Sequence, residues 1–256
     1  LLRRADRREE GSFLVEGNRA VADALAGGAS IEELFVAPEL AEDPIVGAAR
    51  DQGVTVHFVG WPIVKALSDS VSPQGIVAVA RSPLQDLEQV EMRAGLLIIL
   101  AGVSDPGNVG TLVRTAAAAQ ADALIVAEGS SDPLNPKTAR ASAGSLFATT
   151  LVADVSVEEA LDRARELGYR VIGADSSATD SIYDSDLTSA VAMVLGNESW
   201  GLPEGTQASL DAVLSIPMPG AVESLNVATA GSIMVFEALR QRSEGISTVS
   251  SAAKEA

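Results

Sequence analysis

Short apolar runs broken by turn residues organise the chain from Phe13 onward, and between them lie stretches whose apolar positions recur every three or four residues. In the first third, "FLVEG", "ELFVA", "VTVHFV" and "GIVAVA" read as strands, while "NRAVADALAGG", closed by glycines, and "PIVGAARDQG" carry the helical spacing. Further along, "LLIILAGV", "ALIVAEG", "TTLVADV", "YRVIGADS", "VAMVLGNE" and "AVLSIPM" are nearly continuous apolar runs, the pattern of strands buried on both faces. Helical patterns separate them. They include "SDPGNVGTLVRTAAAAQAD", "SVEEALDRARELG" with Ser156 as cap and Glu159 three residues on, and "NVATAGSIMVFEALRQR". Buried strands alternating with helices predict an α/β fold with a mainly parallel, doubly wound sheet. The polar, proline-containing stretch between the two sets reads as a linker. The predicted layout is a small α/β domain over residues 1–82, a linker over 83–94, a larger domain over 95–242 and a mobile tail over 243–256.

Composition removes several chemistries. Hydrophobic residues make up 47% of the chain and aromatic ones only 4%, a balance suited to helices packed on a buried sheet. There is no cysteine, which excludes a disulfide, a thiolate zinc site and a cysteine nucleophile. The single histidine, His57, lies in an alternating strand-like run and reads as a strand residue, so histidine triads and histidine-rich metal sites are excluded and no metal is expected. No apolar run reaches the roughly 20 residues that span a bilayer, and "LLRRADRREEGSF" lacks the apolar core of a signal peptide. The expected location is therefore cytoplasmic, without a membrane. A formal charge of -17 argues against a polyanionic partner. Electrostatic footprints are local, however, and Arg3, Arg4, Arg7 and Arg8 cluster at the N-terminus, either as a frayed, solvated end or as a contact for nucleic acid.

Candidate chemistry sits in the turns that follow the apolar runs, because ligands of open α/β sheets bind outside the carboxyl ends of the strands. Three turns are unusual: "SDPGNVG", "GNESWGLP" and "PMPGAVESLN". None is a dinucleotide or Walker glycine fingerprint. Singly, each reads as an ordinary turn, with Asp105, Pro106 and Gly107 forming a bend and Asn108 a cap; jointly they place Asn, Glu, Ser and Gly after three buried strands. Arg114 adds a further oddity. It falls within two turns of the start of its helix, where the macrodipole disfavours a structural cation, so an anionic or polar group is expected nearby.

In order, "DPGNVGTLVRTA", "LGNESWGL" and "IPMPGAVESLNVATAGSIMVFE" resemble the three motifs of the SpoU, or TrmH-like, branch of the SPOUT RNA methyltransferases, over roughly residues 95–242. The first unit, with "FLVEG" and "VSPQGIVAVA", resembles the ribosomal-protein-like substrate-binding domain that often precedes it. The resemblance implies a SPOUT fold with a deep C-terminal trefoil knot, a rare exception to unthreaded topology. It implies S-adenosylmethionine bent into that knot against Gly196, Ile216 and Leu225, with Asn197, Gly201 and Met218 close by. The implied reaction is methyl transfer to a ribose 2'-hydroxyl of RNA, with ribosomal RNA preferred and tRNA as the alternative. Arg114 takes the activating role in the family, although a guanidinium keeps its proton and is better suited to orienting the hydroxyl or gripping a phosphate. Asn108, Glu198, Ser224 and Asn226 complete the implied site; Ser224 and Asn226 could also cap the last helix, with the functional reading preferred. Trp200 either stacks on a base or is a buried or interface residue. Arg3, Arg4, Arg7, Arg8, Arg19 and Arg140 are the expected RNA contacts, gathered with Arg114 on one face, and a homodimer is expected. A noncatalytic RNA-binding or ribosome-assembly factor with the same fold is the second reading. An oxidoreductase is disfavoured by the missing glycine fingerprint. Housekeeping modification and antibiotic resistance stay open as purposes.

Overall fold

A computed structural model describes residues 1–252, with side chains through Ser243. It contains two sheets. The first is built from β1 (Ser12–Glu16), β2 (Ile31–Val36), β3 (Thr55–Phe58) and β4 (Ile76–Arg81), in the spatial order β1-β4-β2-β3. β4 runs antiparallel to both neighbours, whereas β2 and β3 are parallel. Helices α2 (Asn18–Ala26), α3 (Pro44–Asp51) and α4 (Trp61–Leu67) make the connections, α3 opening on Asp43, whose carboxylate accepts from the Ile45 amide. His57 is on β3 as a strand residue, stacked on Phe35.

The second sheet is wholly parallel. Its strands are β5 (Leu96–Leu100), β6 (Ala123–Val126), β7 (Leu151–Ala153), β8 (Arg170–Ala174), β9 (Val191–Leu195) and β10 (Ala212–Leu214), ordered β10-β8-β9-β5-β6-β7. β5 shows why its sequence is continuously apolar: Leu96, Ile98 and Leu100 enter one core while Leu97 and Ile99 enter the core on the opposite face, and all are fully buried. Each such side chain contributes about 1.5–3 kcal/mol. Helices α5 (Pro106–Ala118), α6 (Pro136–Ser142), α7 (Val157–Glu166) and α8 (Val227–Ala252) cover the faces. The Ser156–Glu159 capping box opens α7 as the sequence indicates. α8 continues through residues 243–252 of the segment expected to be a mobile tail; residues 253–256 lie outside the described residues.

Strand order places the site. The chain leaves β5 toward β6 and β7, then returns on the other side to β8 and β9, so the order reverses between β5 and β9. Crevices at such reversals are where open α/β sheets bind ligands. Leu100 pairs with Leu195 across this junction, and the Ala101 amide donates to the Leu195 carbonyl at 2.8 Å, so the loops after β5 and β9 emerge side by side.

The N-terminal arginines do not form a frayed end. Residues Arg4–Glu10 are a helix, α1, held against the second unit. Arg4 and Arg8 both pair with Asp154, after β7, and Arg7 pairs with Asp132, after β6. Arg140 on α6 pairs with Glu16 of β1 at 2.8 Å, and the Phe13 and Phe147 rings meet 6.0 Å apart. These are ties between the two units.

Candidate functional site

Three loops converge at the carboxyl ends of β5, β9 and β10, and one carboxylate joins the first two. Glu198 accepts from the Ser104 amide at 3.2 Å and hydroxyl at 3.0 Å, from the Asp105 amide at 3.3 Å, and from Asn108 Nδ2 at 2.8 Å. Burial pushes this carboxyl up, but the bonds from Asn108, its own amide and Ser104 outweigh it and hold it down at about 2. The third loop enters through Asn226, whose Nδ2 donates to Asn108 Oδ1 at 2.9 Å. The Asn226 Oδ1 meanwhile accepts from the Ala228 and Thr229 amides and caps α8. The capping and functional readings of Asn226 are thus the two ends of one amide.

Beside this chain of polar groups opens a cleft of about 330 Å³. Gly196, Asn197, Gly201, Ile216, Met218 and Leu225 all line it, as do Glu198, Ser224 and Trp200. Leu195, Leu214, Val227 and Met234 give it an apolar floor. No Lys, Arg or His contributes to its lining among the described residues. Gly196 is required for a reason other than close approach of a ligand. A Cβ there would lie 2.3 Å from the Gly201 carbonyl carbon and 2.5 Å from the Leu202 nitrogen, because the loop after β9 folds back on itself. Asn197 and Gly201 close that fold through a pair of backbone bonds, and the buried Asn197 side chain donates to the Gly102 carbonyl at 2.7 Å. Asn197 therefore ties the loop after β9 to the loop after β5.

Other residues stand apart. Arg114 is exposed on α5, makes no ion pair among the described residues and does not line the cleft. Trp200 is 67% exposed at the cleft, so it is not a core residue. Most of the arginines expected at an RNA face are paired with carboxylates, and Arg19 and Arg140 line one pocket. Arg7 is 4% exposed, with its guanidinium given to Asp132 and to the Leu1 and Leu2 carbonyls. Arg4 and Arg8 share Asp154, Arg140 meets Glu16, and Arg19 reaches Asp23 on its own helix while 88% exposed; Arg3 is exposed. Sequence reasoning missed Asp175 and Ser176, which line the cleft after β8. The strand-end rule that singled out the other loops applies equally to "GADSS", but nothing in that turn marks it as unusual.

A parallel sheet whose order reverses beneath an apolar cleft, flanked by a Glu–Asn–Asn chain from three loops, defines a binding site for a small cofactor with one polar flank. Residues 95–236 match the SpoU rRNA Methylase family and residues 1–78 match the MRM3-like substrate binding domain. The chain belongs to the SpoU rRNA methylase family. It is 32% identical over 241 residues, 89% of this chain and 96% of the relative, to the 23S rRNA (guanosine-2'-O-)-methyltransferase RlmB of Xanthomonas axonopodis pv. citri. It is 33% identical over 180 residues, 68% of this chain and 63% of the relative, to the 23S rRNA (uridine(2479)-2'-O)-methyltransferase of Streptomyces viridochromogenes. The crystal structure of the SpoU methyltransferase AviRb from Streptomyces viridochromogenes, in complex with the cofactor AdoMet, superposes with a TM-score of 0.84 at 29% identity, covering 94% of each chain.

Proposed function

We propose that the protein transfers a methyl group from S-adenosylmethionine to a ribose 2'-hydroxyl of ribosomal RNA, releasing S-adenosylhomocysteine and giving the hydroxyl proton to water. The observation that carries this reading is the union of the family's three motifs into one site: Glu198, Asn108 and Asn226 in a continuous hydrogen-bonded chain on the flank of a cleft lined by Gly196, Ile216, Met218 and Leu225. The cleft fits the cofactor chemically. Its apolar floor suits an adenine ring, and a lining with two carboxylates and no cation among the described residues suits a ligand whose sulfonium and ammonium outweigh its one carboxylate. When bound, S-adenosylmethionine supplies an electrophilic methyl carbon.

The chain's own groups then have separable tasks. Glu198 is a poor proton acceptor, since its oxygens are occupied by four donors and its carboxyl lies at about 2; it holds the loop after β5 in place. Ser224 stands at the cleft rim, exposed, where its hydroxyl meets the incoming ribose. Arg114 keeps its proton, so it orients the ribose hydroxyl or clasps the neighbouring phosphate with its planar fork. Because Arg114 lies outside the cleft of its own chain, the reading includes a homodimer in which this arginine serves the partner's cleft. The exposed faces of α5 and α8, with Thr111, Thr229, Ile233 and Phe236, are the contact surface in this reading. The trefoil threading implied by the resemblance belongs to the same reading, and the folded-back loop over residues 196–202 is compatible with it. Among the described residues no helix is long and apolar enough to cross a membrane, and the cytoplasm, where ribosomal RNA is found, is the proposed location.

The test is transfer of a labelled methyl group to total RNA, with the product mapped for ribose methylation. Wild-type protein should label ribosomal RNA, and Arg114→Ala should lose at least about tenfold in rate while binding S-adenosylmethionine as before. Label in tRNA alone would replace the substrate. Cofactor binding without transfer to any RNA would favour the noncatalytic reading.

A further inference from the structure

The cleft holds two carboxylates, and they differ in how much accepting capacity remains. Glu198 is filled by the loop after β5. Asp175 is not. It follows β8 directly, where Gly173 pairs with Val194 of β9 and Ala174 with Leu214 of β10, so it stands level with Gly196 and Ser215. Its amide donates to the Leu214 carbonyl at 3.1 Å, which fixes the backbone. Its Oδ1 accepts from the Ser177 amide at 2.8 Å and the Ser177 hydroxyl at 2.7 Å, which fixes the carboxylate plane. Its Oδ2 receives only a 3.4 Å contact from Gln207 Nε2 among the described residues. A carboxylate held at one oxygen and open at the other, in a cleft with no cationic side chain among the described residues, keeps an oxygen free to accept from a ligand.

We propose that Asp175 is a cofactor-binding residue whose carboxylate accepts hydrogen bonds from the ribose hydroxyls of S-adenosylmethionine; this rests on the methyl-transfer reading above. The neighbourhood of Asp175 selects the ribose over the cofactor's other donors. Its amide meets the Leu214 carbonyl, and Leu214, with Ile216 and Leu225, supplies apolar lining suited to a flat base. The sugar is bonded directly to that base, whereas the ammonium lies at the far end of the molecule. An acidic side chain at a strand end that takes ribose hydroxyls is a recurring solution in α/β nucleotide sites, and the charge strengthens each bond.

Calorimetric titration of wild type and Asp175→Asn tests this. The ligands are S-adenosylmethionine, S-adenosylhomocysteine and the 2',3'-dideoxy form of S-adenosylhomocysteine. The Asn variant keeps an oxygen for Ser177, and an unchanged melting temperature checks its fold. Asp175→Asn should weaken the first two ligands by about tenfold each, equally because they share the ribose. Wild type should lose a comparable factor toward the dideoxy ligand, and the variant should show little further loss. Equal binding of the two ribose ligands by variant and wild type would overturn the proposal. So would a full dideoxy penalty persisting in the variant, a loss confined to S-adenosylmethionine, or a wild type indifferent to the missing hydroxyls, the last being independent of any variant. Wild-type protein that binds neither S-adenosylmethionine nor S-adenosylhomocysteine would instead defeat the broader methyl-transfer reading.

Discussion

Glu198 is surrounded by donors, and that fixes what a substitution there does. In Glu198→Gln the carbonyl oxygen satisfies part of the set, while the new amide turns its own hydrogens toward Ser104, Asp105 or Asn108. We expect methyl transfer to fall by about tenfold or more, with a smaller change in cofactor affinity, because the loop after β5 loses its anchor while the apolar floor is untouched. The pH dependence has a definite sign. The folded carboxyl lies at about 2 against an ordinary value of 4.5, so its contribution to stability is complete above 4.5 and is lost as the pH falls from 4.5 toward 2. Denaturant titrations across that window should show a fall in wild type that is flatter in Glu198→Gln. Glu198, Asn108 and Asn226 were legible in the sequence because each sits in an ordered motif. The reason for Gly196 was not, since the Gly201 peptide that crowds it becomes a neighbour only when the loop folds back. Asp175 escaped notice because its role depends on which strand lies beside β9, and spacing along the chain does not reveal that.

Two glycines inside helices separate propensity from packing at the level of the element. Gly47, in α3, has nothing within 4 Å of where a Cβ would stand. Gly110, in α5, has the Ala141 Cβ at 2.5 Å and the Thr138 carbonyl at 2.8 Å, because α6 crosses α5 at that point. Alanine gains about 1 kcal/mol of helix propensity at either position. At Gly47 that gain stands alone, and Gly47→Ala should stabilise by roughly 0.5–1 kcal/mol. At Gly110 the collision involves a backbone carbonyl that cannot swing aside, and overpacking of about 1–3 kcal/mol exceeds the propensity gain. Gly110→Ala should therefore destabilise, as urea midpoints for the two variants would show. Elements with a strong period were legible in just this way: β5 from its unbroken apolar run, α7 from its capping box. α1 was not. Its sequence, "RADRREE", has no apolar face to bury, and it is held by Asp132 and Asp154, more than a hundred residues away.

For the whole molecule, the question is how a chain with a formal charge of -17 holds a polyanion. Most of its cations are already committed. Arg7 is buried on Asp132, Arg4 and Arg8 share Asp154, and Arg81, Arg93, Arg140, Arg163, Arg165 and Arg240 each face a carboxylate. Those that meet none among the described residues and are exposed include Arg3, Arg50, Lys65, Arg114 and Lys137, with Arg50 lying over the Phe58 ring. Each cation that neutralises a phosphate steepens the fall of log affinity with log salt by about 0.7–0.9. These five cations account for a slope of about -4 per chain, well short of what the full arginine content would give. RNA affinity should therefore fall by about 250-fold between about 50 and 200 mM salt, and the variants should divide by whether the cation is free. Arg114→Ala should reduce the magnitude of the slope by about 1, while Arg7→Met leaves it unchanged, because Arg7 has no face toward a ligand. Filter-binding titrations of wild type and both variants over a salt series would decide it. A slope near -10, or an equal loss in Arg7→Met, would mean that α1 releases its carboxylates to bind RNA, making the ties between the two units part of the recognition step.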